Sequence, residues 1–218
     1  MTFSILARDP DSGEMGCAAA TGNLCVGAWV LRARAGAGCL ATQGYSVSSF
    51  WGDDALTALQ AGEGADSILD RLVGIDSGAD YRQLMILDNR GGTSGWTGEA
   101  NIEVRGHWLN ENIAVGGNWL RNEQSIGLLR DTFIGAEGTL AERLLAALKA
   151  GADAGSDSRG TQSAAIQVVS PSRPAMDLRI DFSEHPVEDL IELFQRANAP
   201  EYTDFLSRVP SLENPFQH

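Results

Sequence analysis

The segment TFSILARDPDSGEMGCAAA, residues 2–20, reads as two strands joined by a tight turn. Thr2, Ser4, Leu6 and Arg8 fall on one face and Phe3, Ile5 and Ala7 on the other, the two-residue period of a strand. Asp9-Pro10-Asp11-Ser12-Gly13 is a turn signal, because Pro presets φ, Asp bonds its own backbone and Gly tolerates positive φ. Residues 14–20 then return as a second strand, and the pair predicts a hairpin.

Outward from the hairpin, Gly22-Asn23 breaks the pattern, and 28–34 and 37–43 read as short strands around Gly36 and Gly38. Helical spacing of Ala55, Leu56 and Leu59, then of Ile68, Leu69 and Leu72, predicts helices near 52–61 and 65–74. Strands follow at 81–88, 93–98, 102–108 and 112–117, with Asn89-Arg90-Gly91-Gly92 as a turn. Two more helices are expected near 122–135 and 138–150. After a Gly/Ser/Asp loop at 151–161 come strands at 162–169 and 175–181 and a helix at 186–197. This order suits an α+β domain in which two antiparallel sheets stack and helices cover both outer faces. The expected domain spans 1–183. Residues 184–218 read as a helical appendage that docks on the domain or on a partner, with Val187, Leu190, Ile191 and Phe194 as its apolar stripe and a poorly periodic tail punctuated by Pro200, Pro210 and Pro215.

Composition narrows the function. The chain has 218 residues and a formal charge of −13, which argues against nucleic-acid or anionic-membrane binding, since phosphate affinity needs clustered cations. No run approaches 18 apolar residues and no charged-then-apolar leader precedes the first strand, so a soluble cytoplasmic protein is expected. Cys17, Cys25 and Cys39 lack metal or redox spacing and read as reduced thiols packed like small apolar residues. His107, His185 and His218 are too scattered for a metal site, and no metal or cofactor is implied. Lys149 is the only lysine, so positive charge at an active site must come from arginine or from an N-terminal ammonium.

Three groups of residues could carry chemistry. Thr2 is small enough for Met1 to be trimmed, which would leave a hydroxyl and a free amine on one residue, a nucleophile with its own base. The alternative is an ordinary surface threonine on an edge strand. Ser4, on the same face, is either a hydrogen-bonding neighbour or a plain strand residue. Gly116-Gly117-Asn118 ends a strand, where glycine permits close approach and the Asn118 amide could donate to an oxyanion; on sequence alone a turn corner is the stronger reading. In Asp157–Ala164, Arg159 could clamp a carboxylate, and Gln162 and Ser163 could line a cleft. That stretch also reads as a solvent loop ending in a strand cap.

The opening Met-Thr-Phe-Ser-Ile-Leu-Ala-Arg-Asp-Pro, the segment Ala37–Gln43, the Gly117-Asn118 pair and Asp157–Ala164 resemble the domain-of-unknown-function family 1028, placed in the N-terminal nucleophile (Ntn) hydrolase superfamily. The resemblance covers roughly residues 1–182. It implies a four-layer αββα sandwich and cleavage of a small amide or peptide-like C–N bond. It also implies Thr2 as nucleophile and base, Asn118 as oxyanion donor, and Ser4, Gln43, Arg159, Gln162 and Ser163 on the substrate side. The expected partner is a small amide or peptide substrate, and a homo-oligomer is the expected assembly. While Met1 stays attached, the Thr2 nitrogen is an amide and no base. The competing expectation is therefore a catalytically inactive sandwich that binds a cell-wall fragment or a protein.

Overall fold

A computed structural model describes residues 2–155 and 160–218. The chain runs β1 (Thr2–Arg8), β2 (Met15–Thr21), α1 (Val26–Trp29), β3 (Leu31–Arg34), β4 (Gly38–Gly44), α2 (Ser49–Gln60), α3 (Ala65–Ile75), β5 (Arg82–Asp88), β6 (Thr93–Thr97), β7 (Gly106–Asn110), β8 (Ile113–Asn118), α4 (Gln124–Gly135), α5 (Leu140–Asp153), β9 (Ser163–Val169), β10 (Met176–Ile180), α6 (Pro186–Ala197) and α7 (Pro200–Leu206). The strands form a six-stranded sheet, β10-β9-β2-β1-β8-β7, and a four-stranded sheet, β3-β4-β5-β6, both antiparallel throughout. The sheets stack face to face. Helices α4, α5 and α6 cover the larger sheet and α2 and α3 the smaller, giving the four-layer αββα sandwich.

Alternation along β1 assigns the layers. Phe3, Ile5 and Ala7 point outward beneath Leu129, Phe133, Leu144 and Leu148 of α4 and α5. Leu6 points inward and meets Met15, Cys17, Cys39, Met85 and Leu87 between the sheets. On the opposite side, Leu40, Leu84 and Ile86 pack under Trp51, Leu59, Ile68 and Leu72 of α2 and α3. Each such fully buried side chain stabilises by about 1.5–3 kcal/mol relative to exposure. The two sheets approach closely at Gly116, where a Cβ would lie 2.8 Å from the sulfur of Met85. The Gly-Gly pair of β8 is there because that space is already filled.

The β1–β2 hairpin and its turn at Asp9–Gly13 form as the sequence predicts, with the Asp9 carboxylate accepting from the backbone of Asp11 and Ser12. Three elements differ from expectation. The strand expected at 28–34 begins only at Leu31, because Val26–Trp29 form a helical turn started from Cys25 in the left-handed region. The strand expected at 102–108 begins only at Gly106. The tail read as aperiodic contains α7, because Pro200 occupies the first helical turn, where its missing N–H has no intrahelical partner to lose. In the C-terminal segment, Val187 and Leu190 of α6 enter the same core as β9 and β10, whereas α7 buries no residue. Lys149, near the end of α5, pairs with Asp153 and with Glu188 of α6 at 3.3 Å, tying the two helices together.

Candidate active site

The layer between the sheets changes character along its length. At one end it is apolar, built on Leu6, Met15 and Leu87. At the other, the inward positions are Thr2, Thr21, Gln43, Gln83 and Asn118. The antiparallel ladders require this convergence: Thr2 pairs with Thr21 on one side and with Asn118 on the other, and Gln43 pairs with Gln83 in the facing sheet. Thr2 is thus on a central strand, which excludes the edge-strand alternative. It is 9% exposed and lines a cavity of about 350 Å³ that opens at this end of the sandwich.

Thr2, Thr21, Asn23, Gln43, Tyr45 and Asn118 contribute hydroxyl and amide groups to the cavity, beside the indoles of Trp29 and Trp119. The Thr2 and Thr21 hydroxyl oxygens lie 3.1 Å apart. Behind them runs a buried amide chain whose direction is fixed from one end. Gln83 Nε2 faces the carbonyl oxygens of Gly106 and Gly117, both at 3.0 Å, and carbonyls only accept. Gln83 Oε1 must therefore accept from Gln43 Nε2 at 2.7 Å and from Asn118 Nδ2 at 3.1 Å. Gln43 Oε1 in turn accepts from Ser4 Oγ at 2.8 Å. The outcome is that Asn118 has a defined orientation and its amide nitrogen retains a second N–H beside Thr2. Among the described residues lining the cavity, none carries a charged side chain.

The backbone around the cavity is held in sparsely populated conformations. Trp119, in the wall, has φ +57°, and Cys25, between the lining residues Leu24 and Val26, has φ +59°. Non-glycine residues there cost of order 1–3 kcal/mol, and such positions gather at functional sites. Gly44, at the end of β4, takes φ +129°, and a Cβ on it would lie 2.6 Å from the Tyr81 carbonyl.

The sequence-derived candidates separate into groups. Thr2, Gln43 and Asn118 line the cavity together. Ser4 is buried one layer behind them, oriented toward Gln43. Ser163 is fully buried and faces the loop after β2: its hydroxyl donates to the Asn23 carbonyl at 2.7 Å and accepts from the Val26 N–H at 3.1 Å. It positions two lining residues without lining the cavity. Gln162 acts through its backbone, donating to the Thr21 carbonyl and accepting from the Ser183 N–H. Arg159 lies outside the described residues. Two participants were missed by sequence reasoning, Thr21 and Gln83. Both stand in phase with an inward apolar series, Met15-Cys17-Ala19 and Met85-Leu87 respectively, but the phase alone does not say which face meets the other sheet.

Cys17 and Cys39 are buried free thiols of the inter-sheet core. Burial, reinforced by the neighbouring Cys39 thiol, pushes the Cys17 thiol up, so it is poorly suited to act as a nucleophile. Among the described residues no group of three or more His, Cys, Asp and Glu side chains could hold a metal ion. No helix among them is long and apolar enough to cross a membrane.

Fold and site together define an α+β sandwich with a small cavity at the head of a central strand, floored by hydroxyl and amide groups. The chain belongs to the family of unknown function DUF1028, which it matches over residues 2–190. It is similar to the crystal structure of a protein of that family from Silicibacter pomeroyi, with 39% identity and a TM-score of 0.94 over 99% of this chain and 98% of that one. It is also similar to Anbu, an ancestral beta-subunit from Yersinia bercovieri, with 10% identity and a TM-score of 0.39 over 96% of this chain and 99% of that one. No curated protein matches the chain.

Proposed function

We propose that the protein is an amide hydrolase of the Ntn type, acting on a small amide or peptide-like C–N bond through Thr2 once Met1 is removed. The observation that carries this reading is the Thr2 hydroxyl at the floor of a cavity, beside Thr21 and an amide donor of fixed orientation. In this reading the Thr2 Oγ1 bonds to the substrate carbonyl carbon while its proton passes to the freed α-amine. The second N–H of Asn118 donates to the developing oxyanion, a contribution typically worth about 3 kcal/mol. Collapse breaks the C–N bond, and the α-ammonium returns the proton to the leaving nitrogen. Water, deprotonated by the same amine, then cleaves the Thr2 ester and regenerates the hydroxyl. The α-amine suits this role because its ordinary pKa, near 8, leaves a useful neutral fraction at neutral pH.

The test uses protein whose N-terminus is verified by intact mass. Chain starting at Thr2 should form a mass adduct with an electrophilic β-lactone, and Thr2→Ser should retain it. Loss of the adduct in Thr2→Ala is expected, and an adduct unchanged in that variant removes the proposal.

One observation favours a second reading, a binding module without catalysis: the Thr2 hydroxyl, Gln43, Gln83 and Asn118 are hydrogen-bonded to one another and to their neighbours within the protein. Quantitative retention of Met1 in the native host supports that reading, since an acylated nitrogen cannot serve as the base.

A further inference from the structure

We propose that His107, exposed on β7, is a positioning residue that acts on Asn118 through a relay of hydrogen bonds, first Thr97 and then Gln83. The catalytic consequence rests on the hydrolase reading, while the relay stands on the geometry. The ladders bring its members together. Gln83 of β5 pairs with Thr97 at the end of β6, and Gly106 pairs with Gly117 across β7 and β8. Strands β6 and β7 are edges of their sheets, and they meet here: Thr97 Oγ1 lies 2.8 Å from His107 Nδ1, and a Cβ on Gly95 of β6 would lie 3.0 Å from the imidazole.

Gln83 Nε2 faces three acceptors, the carbonyls of Gly106 and Gly117 and the Thr97 hydroxyl, with two protons to share among them. The Thr97 contact, at 2.8 Å, is the shortest of the three. An amide nitrogen cannot accept, so the Thr97 oxygen accepts from Gln83 and its own proton is left for His107 Nδ1. That arrangement calls for a neutral imidazole carrying its proton on Nε2. Burial of the ring against β6 favours the same form, holding the His107 pKa below its ordinary value. Strands β6 and β8 contain no ionisable side chain. Arg105, two residues before His107, pairs with Glu103 at 3.8 Å. Arg130 of α4 pairs with Asp131 and lies over the Trp108 ring, which packs in the core on the other face of β7.

Protonating His107 turns Nδ1 from an acceptor into a donor. It then takes a lone pair of the Thr97 oxygen, and the hydroxyl proton loses its acceptor and turns. The pull of Thr97 on Gln83 Nε2 weakens, and Gln83 relaxes toward the two carbonyls. Its Oε1 shifts, and the Asn118 amide that donates to it shifts in turn.

Two readouts on the full-length protein test this. In nitrogen-15 spectra, with Met1 attached or removed, the Asn118 side-chain amide is assigned by its absence in Asn118→Ser. It should move in step with the His107 ring as pH falls below about 6.5. His107→Asn, which places a carbonyl oxygen where Nδ1 lies and does not titrate, should hold that amide at its neutral-pH position. Thr97→Val, with His107 intact, should uncouple the two. In Thr2-start protein, the ratio of β-lactone labelling rates, wild type over His107→Asn, cancels the titration of the shared α-amine. It should be near one at about pH 7.5 and fall about fivefold by about pH 5, the equivalent of one hydrogen bond.

An Asn118 amide that ignores the His107 titration overturns the inference, and so does a labelling ratio that does not change with pH. If the amide follows His107 and no form of the protein is labelled at Thr2, the relay stands and the hydrolase reading alone falls.

Discussion

Gln83 is the residue on which the site's geometry depends. It is fully buried, and all four of its hydrogen-bonding directions are used inside the protein. Replacing it with the similarly sized methionine would strand the donors of Gln43 and Asn118 and the carbonyls of Gly106 and Gly117. Gln83→Met should therefore lose about 2–4 kcal/mol in urea denaturation and free Asn118 to turn. Conversely, Ser4→Ala removes one donor at the far end of the chain and should cost about 1 kcal/mol, with little effect on Thr2 labelling. The contrast between a severe and a mild variant on one network checks the direction assigned to it. Thr2 and Asn118 were readable from the sequence because strand ends and Gly-Asn corners carry local signals. Gln83 was not, because a strand reading of 81–88 places residues on faces without saying which face meets another sheet. Arg159 and Gln162 looked equally promising in the same polar loop, and only the ladder shows that Gln162 contributes its backbone.

At the scale of elements, α5 shows how a local sequence rule sets where a helix begins. Thr139 and Glu142 form a reciprocal capping box: the Thr139 hydroxyl accepts from the Glu142 N–H, and the Glu142 carboxylate accepts from the Thr139 N–H at 2.7 Å. Thr139→Ala should cost about 1 kcal/mol. The backbone bond from Thr139, followed by its hydroxyl, holds the Glu142 carboxyl below its ordinary value. Since the folded-state pKa is the lower one, this contribution is present above the unfolded value, near ~4.3, and fades as pH falls through the depressed folded value. The thermal midpoints of wild type and Glu142→Gln should thus converge on acidification. The end of β4 offers a harsher test. Gly44→Ala places a methyl against the Tyr81 carbonyl at a φ that L-residues avoid, so a loss of about 1–3 kcal/mol is expected, read by denaturant titration. Helices with periodic stripes were legible to within a few residues, but α1 and α7 were not. Four- and seven-residue helices hold too few turns to show a period, and α1 depends on Cys25 taking a backbone conformation that no sequence pattern marks.

For the whole molecule, the question is how much of the chain the sandwich needs. Helix α6 contributes Val187 and Leu190 to the core shared with the larger sheet, and α7 contributes no buried residue. Deleting 198–218 should change the unfolding free energy by less than about 1 kcal/mol. Deleting 184–218 should cost about 3–6 kcal/mol, because two buried side chains and their packing are lost. Chemical denaturation of the two truncated proteins distinguishes these outcomes. The layered architecture was legible from element order alone, since strands and helices alternate in blocks that only a few layered arrangements satisfy. Which strands lie side by side was not, because pairing such as β2 with β9 joins residues far apart in the chain. Finally, the thioether of Met85 rests where Gly116 has no side chain, two residues along their strands from Gln83 and Asn118. That contact works as a spacer between the two halves of the cavity. One methyl added at Gly116 would wedge the halves apart and widen the gap bridged by the Gln83–Asn118 bond, so the chamber's width is governed from beyond its own walls.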